Sequence, residues 1–348
     1  MNSLEEIGNK FASYWQHHKP GQDNARVERI ERIHGGASRQ TLRVHLSYDE
    51  NGARQQRGVI LRLDPPSSLI DTQRYIEHNA YVTYFGSAVP VPEPLFLEMD
   101  TQWLGYAFSV TAEIAGGQVP SMAETDPYGE ARQQVGEQFW SILGHIAAKD
   151  VGSTYFAESA AEVTAQECWR KELDHWVASL AKQSDYPNPV LQAAIRWLYA
   201  NPPPPAEKLS LVHGDYRSGN FIYNPERQCI AAILDWEMCH VGDPLEDITW
   251  GLNPLWHFNN PLPAAMIPES QALACWEQTS GLKVDPEALF WWKLFTCVKG
   301  IAIWSGAGHE YANSSEKSPP LAFAALFCQQ RQNRITSELL GQKLFPEN

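Results

Sequence analysis

Apolar residues alternate with polar ones through much of the first third of the chain and recur at helical spacing through the rest. Leu42, Val44, Leu46 and Tyr48 alternate with polar neighbours, which predicts a half-buried strand. Asn51-Gly52 is a turn signal, and Val59-Ile60-Leu61-Arg62-Leu63 reads as the returning strand of an antiparallel hairpin. Ahead of the hairpin, Ser3-Leu4-Glu5-Glu6 has the form of a capping box, and Leu4, Ile7, Phe11 and Tyr14 follow at helical spacing. The glycines of His34-Gly35-Gly36-Ala37-Ser38 make a flexible turn between them. Residues 71–86 predict a helix, and Val89-Pro90-Val91-Pro92-Glu93-Pro94 must be extended. Residues 108–114 read as a strand, ended by Ala115-Gly116-Gly117. Helices are then predicted over 131–148, 165–182, 189–200, 287–304 and 321–340, with a stiff proline connector at 202–205 and a strand at 230–234. The pattern predicts an α/β fold of the α+β kind. Residues 1–112 form a smaller lobe with an antiparallel sheet, and residues 113–348 form a larger, mostly helical lobe.

Composition narrows the classes. A length of 348 residues fits one large domain or two lobes, and 43% hydrophobic residues with 13 tryptophans supply a core. The formal net charge of −14 disfavours binding to nucleic acid or to anionic membranes. Six cysteines are sparse and none forms a Cys-x-x-Cys pair, which reads as reduced thiols in a cytoplasmic protein. The N-terminus lacks a basic region followed by an apolar core, and no apolar run reaches the roughly 18 residues that span a bilayer. A cytoplasmic monomer or homodimer is the expectation.

The chemistry concentrates in Val212-His213-Gly214-Asp215-Tyr216-Arg217-Ser218-Gly219-Asn220 and, fifteen residues later, Leu234-Asp235-Trp236-Glu237. Phosphoryl transfer from a nucleotide needs a carboxylate that orients the attacking hydroxyl and accepts its proton. It also needs oxygen ligands for the magnesium on the phosphates. Asp215 fits the first role, and Asn220 and Asp235 fit the second. All are hard oxygen donors, which suit magnesium better than zinc. Asp243-Pro244-Leu245-Glu246 reads as a helix start, with a capping aspartate and a proline at the first position. Asp247 and Trp250 would lie on that helix and buttress the loop.

These motifs resemble those of the aminoglycoside phosphotransferase and choline kinase superfamily, and more narrowly the kinase-like domain fused to some acyl-CoA dehydrogenases. Gly242-Asp243-Pro244-Leu245-Glu246-Asp247-Ile248-Thr249-Trp250, Gly35-Gly36-Ala37-Ser38 and Val89-Pro90-Val91-Pro92 extend the likeness, which runs from about residue 25 to about residue 340. The resemblance implies a protein-kinase-like, two-lobed fold that uses ATP and Mg2+. It implies that Gly36, Ala37 and Ser38 bring backbone donors to phosphate oxygens. Arg62 stands where relatives carry a phosphate-binding lysine, with Glu77 as its helix partner. The strand at 110–114 would read the adenine edge through its backbone at Ala112 and Ile114. The resemblance implies that His213 braces the catalytic loop. Arg217 either contacts substrate or pairs with a nearby carboxylate such as Glu237. Most tryptophans and aromatics between Trp250 and Trp304, Phe258 among them, are core residues.

The expected activity is a small-molecule kinase that moves the ATP γ-phosphoryl group to a hydroxyl of an organic acceptor. A hydroxyacyl thioester is one acceptor class, and aminoglycosides, choline, homoserine and sugars stand open. A nucleotide-binding regulatory module with a kinase-like fold is the reading from another class. A protein kinase is disfavoured, because there is no Asp-Phe-Gly and no long activation segment between Asp235 and Asp243.

Overall fold

The structure is a computed structural model that describes residues 3–33, 40–63, 74–121, 124–183, 188–257, 260–314 and 317–344. It separates into two units, Met1–Gly116 and Gly117–Asn348.

The first unit opens with helix α1 (Leu4–His18), whose cap Ser3 accepts a hydrogen bond from the Glu6 N–H at 3.1 Å. Its apolar stripe buries Ile7, Phe11, Tyr14 and Trp15 against a five-stranded antiparallel sheet. The strands are β1 (Asp23–Ile33), β2 (Gln40–Glu50), β3 (Ala53–Leu63), β4 (Pro94–Glu98) and β5 (Phe108–Ala112), in the order β1-β2-β3-β5-β4. β2 and β3 are the predicted hairpin, paired without a break from Gln40–Leu63 to Glu50–Ala53. Asn51 and Gly52 both take positive φ, at 52° and 77°, as a two-residue turn of the I′ type requires. Leu42, Val44, Leu46, Val59, Leu61, Phe108 and Val110 face the core from three neighbouring strands.

Two strands of this unit lie outside the sequence expectation, and both are sheet edges. β1 has few strong apolar positions (DNARVERIERI), which suits an edge but hides it from a hydrophobicity pattern. β4 starts on Pro94, a residue an edge strand tolerates. Helix α2 spans Arg74–Tyr84; residues 71–73 of the expected helix lie outside the described residues.

The second unit contains α3 (Arg132–Ala148), α4 (Ala157–Ala161), α5 (Cys168–Gln183) and α6 (Pro189–Ala200). Four short strands follow: β6 (Ser210–Val212), β7 (Phe221–Asn224), β8 (Cys229–Ile233) and β9 (His240–Gly242). β6 pairs with β9, and β7 with β8. The chain ends with α7 (Leu245–Gly251), α8 (Glu269–Ser280), α9 (Pro286–Asn313), α10 (Pro319–Phe323), a π-helical turn at Ala324–Cys328, and α11 (Gln329–Leu344). Asp285 caps α9 by accepting from the N–H groups of Glu287 and Ala288, and Pro286 sits at the first turn. The first half of α9 is buried on nearly all sides, so it is the central helix of this unit. It runs beyond the expected end at 304, and the single helix expected over 321–340 is instead interrupted by the π turn.

Trp256, Trp276, Trp291 and Trp292 are buried as expected, whereas Phe258 lies outside the described residues. All six cysteines are free thiols. Among the described residues, no helix is long and apolar enough to cross a membrane.

Candidate active site

The motif loop leaves β6 at Val212, and helix α7 grips it by its backbone. Asp243 accepts from the Leu245 N–H at 2.9 Å and from the Trp292 indole at 3.0 Å, which fixes the start of α7. Asp247, one turn further on, accepts from the His213 N–H at 2.6 Å and the Gly214 N–H at 2.9 Å. Burial pushes the Asp247 pKa up to about 7, and these two N–H bonds oppose that rise. From α9, the buried Lys299 ammonium donates to the Gly214 carbonyl. Gly214 is thus held by a carboxylate at its N–H and an ammonium at its C=O. Its φ is +84°, and a Cβ there would press against the Met238 carbonyl oxygen, so only glycine fits.

The turn after Gly214 presents Asp215. Its Oδ1 accepts from Arg217 Nε at 2.9 Å and from Trp250 Nε1 at 2.6 Å. Its Oδ2 accepts from Asn220 Nδ2 at 2.6 Å, and the same amide nitrogen donates to the Asp215 carbonyl at 2.9 Å. Both bonds use the Asn220 nitrogen, which fixes the amide orientation and leaves the amide oxygen as an acceptor.

Asp235 reaches the same place through the β7–β8 hairpin. Phe221 pairs with Ile233, and the Leu234 N–H donates to the Asn220 carbonyl at 2.8 Å. The fifteen residues between Asn220 and Asp235 are therefore the hairpin, and its open end brings the two residues together. Asp235 takes a left-handed backbone, φ 68° and ψ 51°, immediately before a 3-10 turn at Trp236–Met238. A non-glycine residue held there is strained, and such strain clusters at functional positions.

His213 is fully buried. Its Nδ1 accepts from the Asp215 N–H at 3.1 Å, so Nε2 carries the proton and donates to the Leu234 carbonyl at 2.9 Å. Burial pushes its pKa down to about 4, although Asp215, the Leu234 carbonyl and Asp235 pull the other way. The ring is a neutral strut between the loop and the hairpin. Arg217 pairs with Asp215, donates to the Ser218 carbonyl at 3.0 Å, and stacks 4.7 Å from the Trp256 ring centre. In the first unit, Arg62 on β3 forms an ion pair with Glu77 on α2, which also accepts from the Tyr81 hydroxyl at 3.2 Å. Ala112 ends β5 with its N–H on the Glu93 carbonyl, and Ile114 follows two residues later. Gly36, Ala37 and Ser38 lie outside the described residues.

One buried group of charges was not singled out in the sequence. Glu246 accepts from Lys299 at 2.8 Å and from His240 Nε2 at 3.2 Å, and Glu172 lies 3.6 Å from that nitrogen. Burial alone would raise the Glu246 pKa; Lys299 and His240 reverse this and hold it at about 2. Lysine inside an apolar helix and glutamate at a helix start gave no signal that they meet.

The chain is similar in sequence and in fold to several known proteins. Mouse acyl-CoA dehydrogenase family member 11 is 23% identical over 93% of this chain and 43% of its own length. The chain spans less than half the length of the curated relatives it matches. A candidate aminoglycoside phosphotransferase from Ralstonia eutropha JMP134 superposes with a TM-score of 0.75 at 18% identity, covering 96% of this chain and 98% of that one. The aminoglycoside phosphotransferase APH(4)-Ia, as a thermostable mutant in a ternary complex with AMP-PNP and hygromycin B, gives a TM-score of 0.57 at 18% identity over 94% of this chain and 97% of that one. The fold is the kinase-like one, with an N-terminal antiparallel sheet and a mostly helical C-terminal portion. The model of the phosphotransferase enzyme family matches residues 29–312, most of the chain, and the chain belongs to that family.

Proposed function

We propose that this phosphotransferase is a small-molecule kinase that moves the γ-phosphoryl group of ATP to a hydroxyl of an organic acceptor. The observation that carries the reading is the meeting of Asp215, Asn220 and Asp235 at the open end of one hairpin. Asp215 orients the acceptor hydroxyl and takes its proton. The acceptor O–H bond breaks, a bond from that oxygen to the γ-phosphorus forms, and the bond to the ADP oxygen breaks. Asn220 and Asp235 fit a magnesium ion: the amide nitrogen is engaged by Asp215 and leaves its oxygen as an acceptor, Asp235 follows Leu234, whose N–H binds the Asn220 carbonyl, and both side chains are hard donors. When bound, magnesium neutralises the phosphate charge. Arg62, held by Glu77, supplies a guanidinium suited to a phosphate. Gly36, Ala37 and Ser38 supply backbone donors to the phosphates, and the backbone at Ala112 and Ile114 reads the adenine. Arg217 steadies Asp215, and His213 braces the loop without exchanging protons.

The preferred acceptor class is a hydroxyacyl thioester, supported by the likeness to acyl-CoA dehydrogenase family member 11. Aminoglycosides are the second class, supported by the fold shared with an enzyme solved with hygromycin B. ADP release with ATP and magnesium, measured across hydroxyacyl-CoAs, aminoglycosides, choline, homoserine and sugars, tests the reading. Turnover on one class is expected, and Asp215→Ala should lower kcat by about a thousandfold or more while leaving the fold intact. Full turnover in Asp215→Ala would overturn the base assignment. Nucleotide binding without transfer to any acceptor would favour the regulatory module.

A further inference from the structure

Trp250 donates its only polar hydrogen to the carboxylate of Asp215, and its side chain is 1% exposed. The indole is held from several sides. Trp256 lies at 5.2 Å with an interplanar angle of 65°, the Lys299 ammonium sits 5.0 Å from the ring centre, and Cys297 belongs to the same buried cluster. Helix α7 carries both Trp250 and Asp247, so one rigid element fixes the loop backbone and the Asp215 side chain together.

A carboxylate oxygen has two lone pairs in the plane of the group. Oδ1 of Asp215 receives two donors, Trp250 and Arg217, whereas Oδ2 receives one, Asn220. We propose that Trp250 is a positioning residue that, with Arg217, saturates Oδ1 and so leaves Oδ2 as the oxygen that meets the acceptor hydroxyl. The inference rests on the reading of Asp215 as the base. Without the indole N–H, Oδ1 regains a free lone pair and the carboxylate can rotate about its Cβ–Cγ bond. The acceptor hydroxyl then meets a less ordered base, which costs turnover rather than nucleotide affinity.

The test is Trp250→Phe, which removes the N–H and keeps an aromatic ring. With ADP release followed on the best acceptor of the panel, kcat should fall about tenfold or more, and KM for ATP-magnesium should stay within about twofold. Wild-type kcat in Trp250→Phe would overturn the proposal, as would equal losses in kcat and nucleotide affinity, the mark of a merely structural tryptophan. If Trp250→Phe does not fold, 15N spectra of the indole N–H groups in the wild-type chain and in Asp215→Ala decide the matter. One indole resonance should lose its hydrogen-bonded shift in Asp215→Ala, and an unchanged indole set would refute the contact. Asp215→Ala also separates the two readings. If it keeps full activity, the base assignment fails; if it is inactive while Trp250→Phe has wild-type kcat, only the role of Trp250 fails.

Discussion

His213 shows how far residue chemistry depends on its surroundings. In sequence it stands two residues before Asp215, the proposed base, where a histidine could move protons. In the fold its Nδ1 is an acceptor, its Nε2 a donor, and burial holds its pKa down at about 4. The sign follows from linkage: the folded pKa lies below the unfolded value near 6.5, so the chain gains stability above that pH and loses it as pH falls toward 4. NMR of the ring carbons should show no His213 titration between about pH 5 and 8, and a midpoint near 6.5 would contradict the neutral strut. Asp215, Asn220 and Asp235 stand out in the sequence as candidates because each carries an oxygen donor and their order suits phosphoryl-transfer chemistry. Lys299 was not legible. It sits 85 residues from the Gly214 carbonyl it binds, within a run of tryptophan, phenylalanine and valine that reads only as core. The Arg217 contact to Asp215 was equally hidden, since spacing alone offered Glu237 as readily.

At the scale of elements, α7 joins the site to the interior. Seven residues carry the clamp on His213 and Gly214 through Asp247, the contact to Asp215 through Trp250, and the ion pair with Lys299 through Glu246. Its start was readable, because Asp243-Pro244 announces a helix, and the Asp243 carboxylate does accept from Leu245. The partners of Glu246 were not readable, because β9 and α9 contribute them from distant parts of the chain, and α5 adds Glu172 beside His240. His240 on β9 makes this network sensitive to pH. Burial works against its protonation, but Glu172 and Glu246 more than reverse that and hold its pKa up at about 9. A folded pKa above the unfolded 6.5 gives stability that is full below 6.5 and lost as pH rises through 9. The melting temperature should therefore decline over that window, by on the order of a few degrees. His240→Gln should start lower and lose that decline, as read by thermal melts at several pH values. A wild-type melting temperature that is flat between pH 6.5 and 9 would show that the imidazolium contributes nothing.

For the whole molecule, periodicity revealed the order of the longer elements better than their edges. The β2–β3 hairpin and α6 match their expected positions, whereas the two edge strands and the π turn were invisible to periodicity. Nucleotide binding is the property that joins local assignments to the stability of the whole chain. A ligand that binds only the folded state stabilises it by RT ln(1 + [L]/Kd), about 2.7 kcal/mol at a hundredfold excess over Kd. For a protein of this size that is a rise of a few degrees in melting temperature. ATP with magnesium should produce the rise, and ATP with excess EDTA should produce much less. Asn220→Ala and Asp235→Ala should each lose most of the magnesium-dependent part if, as proposed, each supplies a hard oxygen donor to the ion. Asp215→Ala should keep most of it, because the backbone carbonyl at that position still accepts from the Asn220 amide nitrogen. Thermal melts of the four proteins, each with and without chelator, separate these roles. If both metal-site variants shift as the wild type does, Asn220 and Asp235 do not hold the ion and the hairpin is a structural feature alone. If Asp215→Ala loses the shift along with them, the aspartate serves nucleotide binding, and a lost kcat in that variant would no longer mark it as the base.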